Sequence, residues 1–384
     1  MSSKKNQKSF LVIGAGLSGA TLAERAAAAG HQVTVIDKRP HLAGNCYDEI
    51  DPYTQIRVSK YGAHLFHTND KEVWEYVQKF AKWQRWEHKV IADCSGVYVP
   101  VPVNPTTVNV LLNESIQTEE EMKAWLAQET AGCQVASPKN SEEVALSRVG
   151  PRLYELLFHT YTVKQWAKEP RDLDPSVLAR IPVRTTFDDR YFSDKYQALP
   201  VKGYTAFVQQ MLSHQNIKVL LNTDWEDVKG DLEADFTIFT GRIDQYFAGA
   251  GLPPLEYRSI EFEWETHPCG GTLQPNSVVN YPFTQNESNY TRCVEYKHFL
   301  NQKSDWTIVS KEKTTDQGEP YYPVPTQANQ DLYKKYQELA EKEKEKGVYF
   351  LGRLANYKYF NMDQAIRNSL DFFDQFHQNV IKDK

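Results

Sequence analysis

The stretch Phe10-Leu-Val-Ile-Gly-Ala-Gly-Leu-Ser-Gly19 decides the fold. Four apolar residues, 10–13, read as a short buried strand, and the glycine turn Gly14-x-Gly16-x-x-Gly19 follows at once. The alanine-rich run 20–29 reads as a helix whose small side chains let it pack closely on that strand. Gly30 closes the helix, residues 31–36 form a second buried strand, and Asp37 ends it. The pattern predicts a β-turn-α-β unit with parallel strands and a right-handed crossover. In that setting the turn is a dinucleotide fingerprint. Gly14 permits the tight bend, Gly16 lets the backbone approach a pyrophosphate, and Gly19 lets helix and strand touch. Leu17 and Ser18 open the helix, whose free amides and positive dipole end suit phosphates. Asp37 is placed to accept from ribose hydroxyls, and a carboxylate there disfavours a 2′-phosphate and hence NADP.

Outward from this unit, residues 217–221, 236–239 (followed by Thr240-Gly241) and 348–351 (followed by Gly352) read as further short strands that need a partner sheet. A C-terminal helix is expected over 362–377. The expected fold class is therefore α/β, a Rossmann-like dinucleotide-binding domain (read below as FAD-binding) with an inserted helical domain and an antiparallel-sheet domain. The nucleotide domain is discontinuous over 1–80, 200–255 and 330–384. Helical patterns at 119–129, 141–149, 151–162 and 175–179 assign a cap domain to 105–175. Strand-like segments at 258–264, 277–281, 290–296 and 306–310 assign the sheet domain to 256–329, with 81–104 and 176–199. The Glu341–Lys346 charge run is the solvated end of a helix.

Bulk properties exclude several classes. At 384 residues the chain can bury a large core, and its 41% hydrophobic and 24% charged content is that of a soluble globular protein. A net charge of −6 argues against a nucleic-acid binder. The five cysteines are scattered with no Cys-x-x-Cys pair, which suits a reducing cytosol and gives neither a disulfide framework nor a zinc site. No signal or membrane segment is expected, so the sequons at Asn113, Asn286 and Asn289 carry no meaning and the expected location is cytoplasmic. His64 and His67 stand three apart, but no third or fourth ligand is near in sequence, and no metal is expected. Aromatic residues reach 12%, enough for some to line a cleft for a flat or sugar-like ligand.

Asp37-Lys-Arg-Pro-His-Leu-Ala-Gly-Asn45 extends the fingerprint with Lys38, Arg39, Gly44 and Asn45, and resembles the amine-oxidase-like class of FAD proteins. In that class a late strand ending in Gly, then a helix N-terminus, supplies a second flavin anchor. Gly352-Arg353 and the helix start at Asn361-Met362 fit it. Val219, Gly241, Tyr359 and His64 are assigned to the same cofactor. At this level an oxidoreductase, a plain NAD binder and a non-catalytic nucleotide sensor remain open.

Six further segments resemble bacterial UDP-galactopyranose mutase in order and residue. They are Lys60-Tyr-Gly-Ala-His-Leu-Phe-His-Thr-Asn-Asp70, Tyr161-Thr-Val-Lys-Gln-Trp166, Arg180-Ile-Pro-Val-Arg184, Tyr191-Phe-Ser-Asp194, Gly318-Glu-Pro-Tyr-Tyr-Pro323 and Gly352-Arg-Leu-Ala-Asn-Tyr-Lys-Tyr-Phe-Asn-Met-Asp-Gln364. The resemblance implies interconversion of UDP-galactopyranose and UDP-galactofuranose on reduced FAD. The flavin N5 attacks the anomeric carbon as UDP leaves, the sugar ring opens, and it recloses through O4. Arg180 and Arg292 are then the diphosphate-binding arginines, and Arg184 is structural. His64 lies beside the flavin N5 and His67 toward the sugar. Phe158, Tyr161, Thr162 and Trp166 line the substrate, as do Tyr191, Phe192 and Asn280. Tyr322 and Tyr359 do so as well, with His88 near the diphosphate and Asn361 where many relatives carry Asp. A flap over 162–180, a homodimer, an external flavin reductant and a role in cell-wall polysaccharide synthesis are also implied.

Overall fold

The computed structural model describes residues 7–283 and 290–382; the sequons at Asn286 and Asn289 lie outside them. Asn113 caps the C-terminus of helix Pro105–Leu112. All five cysteines are free thiols. No helix among the described residues is long and apolar enough to cross a membrane.

Five parallel strands form the nucleotide sheet in the order Ile217–Leu220, Gln32–Ile36, Ser9–Ile13, Phe236–Phe239, Val348–Phe350. Both faces are covered, which is why these strands are apolar runs without alternation. On one face Phe10, Val12 and Val35 meet Leu22 and Ala26 of helix Leu17–Ala28, and Ile366 and Phe376 of helix Met362–Phe376. On the other, Leu11, Ile13, Ile36 and Phe239 pack with Trp225, Tyr246 and Phe350.

A seven-stranded sheet runs in the order Tyr322–Pro323, Tyr257–Pro268, Trp306–Thr315, Arg292–Glu295, Val278–Asn280, Val90–Cys94, Val97–Val101. It departs from the expected antiparallel pattern at one seam, where Val278–Asn280 runs parallel to Val90–Cys94. Tyr196–Pro200 does not join it; it pairs with Phe66–Thr68 and Trp83–Arg85 in a separate three-stranded sheet.

Helix Glu119–Glu129 starts on a capping box, Thr118 with Glu121, where the sequence pattern begins. The two helices expected at 141–149 and 151–162 have a different internal structure. Gly150, at φ 75°, kinks helix Ser141–Leu153 just before Pro151, and the chain continues as a π-helical stretch Tyr154–His159 and then helix Thr160–Trp166. Widened helical turns of this kind are frequent at functional sites. This one carries Phe158 and leads into Tyr161 and Thr162, all three on a cavity wall. The Glu-Lys run forms the last residues of helix Gln327–Glu343 and the 3₁₀ turn Lys344–Lys346 that follows.

Candidate active site

Two adjoining cavities, about 380 and 350 Å³, open between the parallel sheet and the seven-stranded sheet. Asn45, His64, Tyr321, Arg353, Asn361 and Met362 line both, so the two form one cleft.

The first cavity is shaped by main chain. Gly14 sits at φ 110°, and a Cβ there would lie 2.1 Å from Oγ1 of Thr240, which directly follows the neighbouring parallel strand. A Cβ on Gly19 would lie 2.0 Å from the Gly14 carbonyl oxygen, so only glycine lets the helix start this close to the strand. Gly16 and Gly44 face each other backbone to backbone, leaving an uncluttered cradle at the N-terminus of helix Leu17–Ala28. The buried Asp37 carboxylate accepts from the Ala15 N–H at 2.8 Å and the Arg39 N–H at 2.9 Å. It thereby holds the glycine turn while still lining the groove. Arg39 donates to Asn45 Oδ1 at 2.9 Å and lies 4.5 Å over the Tyr61 ring. Leu17, Ser18, Lys38 and Gly241 complete the predicted lining.

Val219 is corrected. It sits inside strand Ile217–Leu220, paired with Val35 and packed on the core, and does not line the groove. Ligands of open α/β sheets bind beyond the carboxyl ends of strands. The residues after this strand, Thr223, Asp224 and Trp225, are those that reach the groove. That rule applied to residues 217–221 was the signal available for finding them. Tyr359 was assigned to both cofactor and substrate, and it lines only the second cavity.

The second cavity is shaped by side chains. Every residue assigned to the substrate from the resemblance lines it, including Phe158, Thr162, Trp166, Asn280 and Asn361. Three guanidiniums converge there. Arg292, on strand Arg292–Glu295, is anchored by the buried Glu312 at 2.5 Å. Arg180, just after helix Ser176–Ala179, lies 4.4 Å over the Tyr359 ring and keeps much of its surface open to the cleft. Arg353 lies 5.0 Å over Tyr359 and 5.9 Å from Tyr322, and was expected only at the cofactor. Among the described residues Arg180 and Arg353 have no carboxylate partner. Arg184 instead pairs with Asp188 at 3.3 Å and is not part of the cavity lining.

Tyr322 and Tyr359 stack with ring centroids 5.4 Å apart. Burial alone would raise the Tyr359 phenol, but Arg180 and Arg353 outweigh it and bring it down to about 8. Burial and the Tyr359 charge push Tyr322 up to about 12. His64 donates from Nδ1 to the Gly62 carbonyl at 2.8 Å, and burial lowers it to about 4, so it is a neutral imidazole with Nε2 unprotonated. His67 donates from Nδ1 to the Asp194 carboxylate at 3.0 Å and stacks on Phe192 at 3.7 Å. Tyr191 meets Phe192 edge-on. Burial lowers His88 to about 3, and its Nδ1 has no hydrogen-bond partner; the Asn280 Oδ1 is likewise unpartnered. Tyr161 is raised by burial. Among the described residues no cluster of three His, Cys, Asp or Glu is placed to hold a metal.

Fold and cleft together define an α/β protein with a Rossmann-like sheet, whose main-chain groove adjoins a cavity lined by three guanidiniums. Residues 156–359 match the family model described as UDP-galactopyranose mutase, and residues 12–80 a model for NAD(P)-binding Rossmann-like domains. The chain is 35% identical over 379 residues to a Klebsiella pneumoniae protein named "Probable UDP-galactopyranose mutase", covering 98% of this chain and 96% of that one. It is 34% identical to the dTDP-fucopyranose mutase of Escherichia coli, covering 96% and 98%. The chain belongs to the UDP-galactopyranose mutase family, a family of isomerases. Its fold superposes on that of a reduced UDP-galactopyranose mutase with TM-score 0.76 at 15% identity, covering 97% and 96% of the two chains. An oxidoreductase from Methanosarcina mazei shares the fold at TM-score 0.59 and 12% identity, covering 95% and 100%. The fold therefore does not choose the chemistry; the cavity side chains do.

Proposed function

We propose that the protein interconverts UDP-galactopyranose and UDP-galactofuranose, with FAD in the groove and the sugar nucleotide in the side-chain cavity. The observation that carries this is the convergence of Arg180, Arg292 and Arg353, two of them without a carboxylate partner, on one cavity walled by Tyr322 and Tyr359. Unpaired guanidiniums in a cleft call for a multiply charged anion, and a diphosphate matches their forked donors. An amine-oxidase substrate would bring a further cation into that field.

The groove fits a flavin dinucleotide. The Gly16/Gly44 cradle and the helix amides suit its pyrophosphate, and Asn361 and Met362 open the N-terminus of a 15-residue helix where the two cavities join. When bound and reduced, FAD supplies the nucleophile for the anomeric carbon. This chain's residues then have separable tasks. Arg180 and Arg292 hold the diphosphate and stabilise its charge as the glycosidic bond breaks. Neutral His64 stands where the cavities meet, offering an acceptor without adding positive charge. Tyr161, Phe158 and Trp166 give flat surfaces for base and sugar, and the unpartnered His88 and Asn280 atoms await ligand hydrogen bonds. The segment 162–180, which supplies Thr162, Trp166 and Arg180, closes over the nucleotide. By family resemblance the reading extends to a cytoplasmic homodimer, an external flavin reductant and polysaccharide synthesis.

Purified protein, dithionite-reduced, is expected to convert UDP-galactofuranose to UDP-galactopyranose, and the oxidised protein to do so barely. Equal turnover by both redox forms would remove the flavin nucleophile. The likeness to a dTDP-fucopyranose mutase makes dTDP-fucopyranose the competing substrate; faster turnover of that compound would reassign the nucleotide and sugar.

A further inference from the structure

Lys164, on the helix beside the second cavity, has only main-chain hydrogen-bond partners among the described residues. It lies on helix Thr160–Trp166, among Tyr161, Thr162 and Trp166, which line the cavity and give it an aromatic wall. Its ammonium crosses to the seven-stranded sheet. There it donates to the carbonyls of Tyr281 at 2.5 Å, Phe283 at 3.1 Å and Tyr290 at 2.7 Å. An ammonium has three protons, and all three are used. Among the described residues it forms no ion pair.

Those carbonyls stand just beyond the ends of two paired strands. Asn280 and Arg292 face each other across that ladder, and Tyr281 continues it by donating its N–H to Thr291. Tyr281 and Phe283 leave the first strand, and Tyr290 enters the second. The same helix position is tied again from its main chain, because Thr314 Oγ1 donates to the Lys164 carbonyl. Thr314 lies two residues beyond Glu312 on one strand, hence on the same face as the carboxylate that anchors Arg292. One residue thus joins three elements that each deliver a substrate-lining side chain.

We propose that Lys164 is a positioning residue for the sugar-nucleotide cavity. Its ammonium staples the aromatic helix to the strand pair bearing Asn280 and Arg292, so that aromatic wall and guanidinium are presented at one spacing. This rests on the reading of the cavity as a UDP-sugar site. Lys164 has no contact with the groove, so flavin binding reports the fold independently of the staple.

The test is UDP titration of the flavin-loaded protein, alongside flavin content and steady-state kinetics. In K164M, which keeps the stem and loses the donors, UDP affinity is expected to fall about tenfold or more, with KM rising likewise and flavin content unchanged. K164R, which restores charge and donors, is expected to return UDP affinity to within about threefold of wild type. UDP affinity in K164M within about twofold of wild type, or loss of flavin together with UDP binding, overturns the proposal. If K164M does not fold, T314V reads the same coupling from the main-chain side: weakened UDP binding with full flavin content supports it, and unaltered UDP binding overturns it. A wild-type protein that ignores UDP overturns the functional reading and this inference with it. Wild-type binding with unaltered K164M binding overturns this inference alone.

Discussion

The dinucleotide groove and the sugar-nucleotide cavity share a boundary yet are built from different material. The groove is made of main chain close together in sequence, the Gly14–Gly19 turn, Asp37 and Gly44, with later strand ends closing over it. The cavity is made of side chains drawn from segments near 64, 88, 161, 180, 292, 322 and 359. The groove's requirement is space, which any side chain would fill. The cavity's requirement is charge, and trimming an arginine that has no carboxylate partner leaves the surrounding structure in place. The two regions should accordingly fail in different ways.

The largest effect is expected from Gly19→Val. Its Cβ would meet the Gly14 carbonyl oxygen at 2.0 Å, so the helix must move off the strand. A destabilisation above about 4 kcal/mol and loss of bound flavin should follow. A soluble G19V that purifies yellow would break the contrast.

Arg180→Ala, which leaves no buried carboxylate without its partner, should do the reverse, lowering kcat/KM by about 10²–10³-fold while flavin stays bound. Absorbance spectra and kinetics on one preparation decide it, and loss of flavin would merge the two regions.

Tyr359 gives a pH-dependent test. Its phenol, held at about 8 against an ordinary value near 10, ionises early because Arg180 and Arg353 favour the phenolate. The stabilising effect of this shift is fully present above about pH 10 and is lost as pH falls through about 8. A bound diphosphate competes for the same guanidiniums, so UDP affinity should decline as pH rises through about 8, by at most about tenfold per unit. The decline should be absent in Tyr359→Phe. Isothermal titration across that range would show it, and a flat profile in wild type would remove Tyr359 from the anion site.

The smallest effect sharpens the boundary of the groove. Val219→Ala should cost about 1 kcal/mol in unfolding experiments and leave flavin affinity unaltered. A weakened flavin would restore Val219 to the cofactor site.

The same contrast explains what could be read without coordinates. The glycine turn, the parallel strands and the capped helices are local in sequence, and the helix Glu119–Glu129 has the expected bounds. The cavity residues could be named because matched segments marked them, not because any periodicity did. Val219 failed since an apolar residue inside a strand looks the same whichever ligand lies beyond its end. Arg353 was placed at the flavin only, because nothing in Gly352-Arg353 shows that its guanidinium reaches over Tyr359 and Tyr322. Gly150 marked the break after residue 149, but the π-helical turn that follows depends on packing of Leu153, Leu157 and Phe158 against the sheet.

The sequence by itself determined the dinucleotide unit, because turn, strand and helix there are dictated by steric and hydrogen-bonding rules acting over a few residues. Only the tertiary structure decided that Arg180, Arg292 and Arg353 converge around two stacked tyrosines, two of them without a carboxylate partner, and that Lys164 ties the helix at 160–166 to carbonyls more than a hundred residues away. Charge acts through space, and spatial neighbours far apart in the chain leave no periodic trace in it.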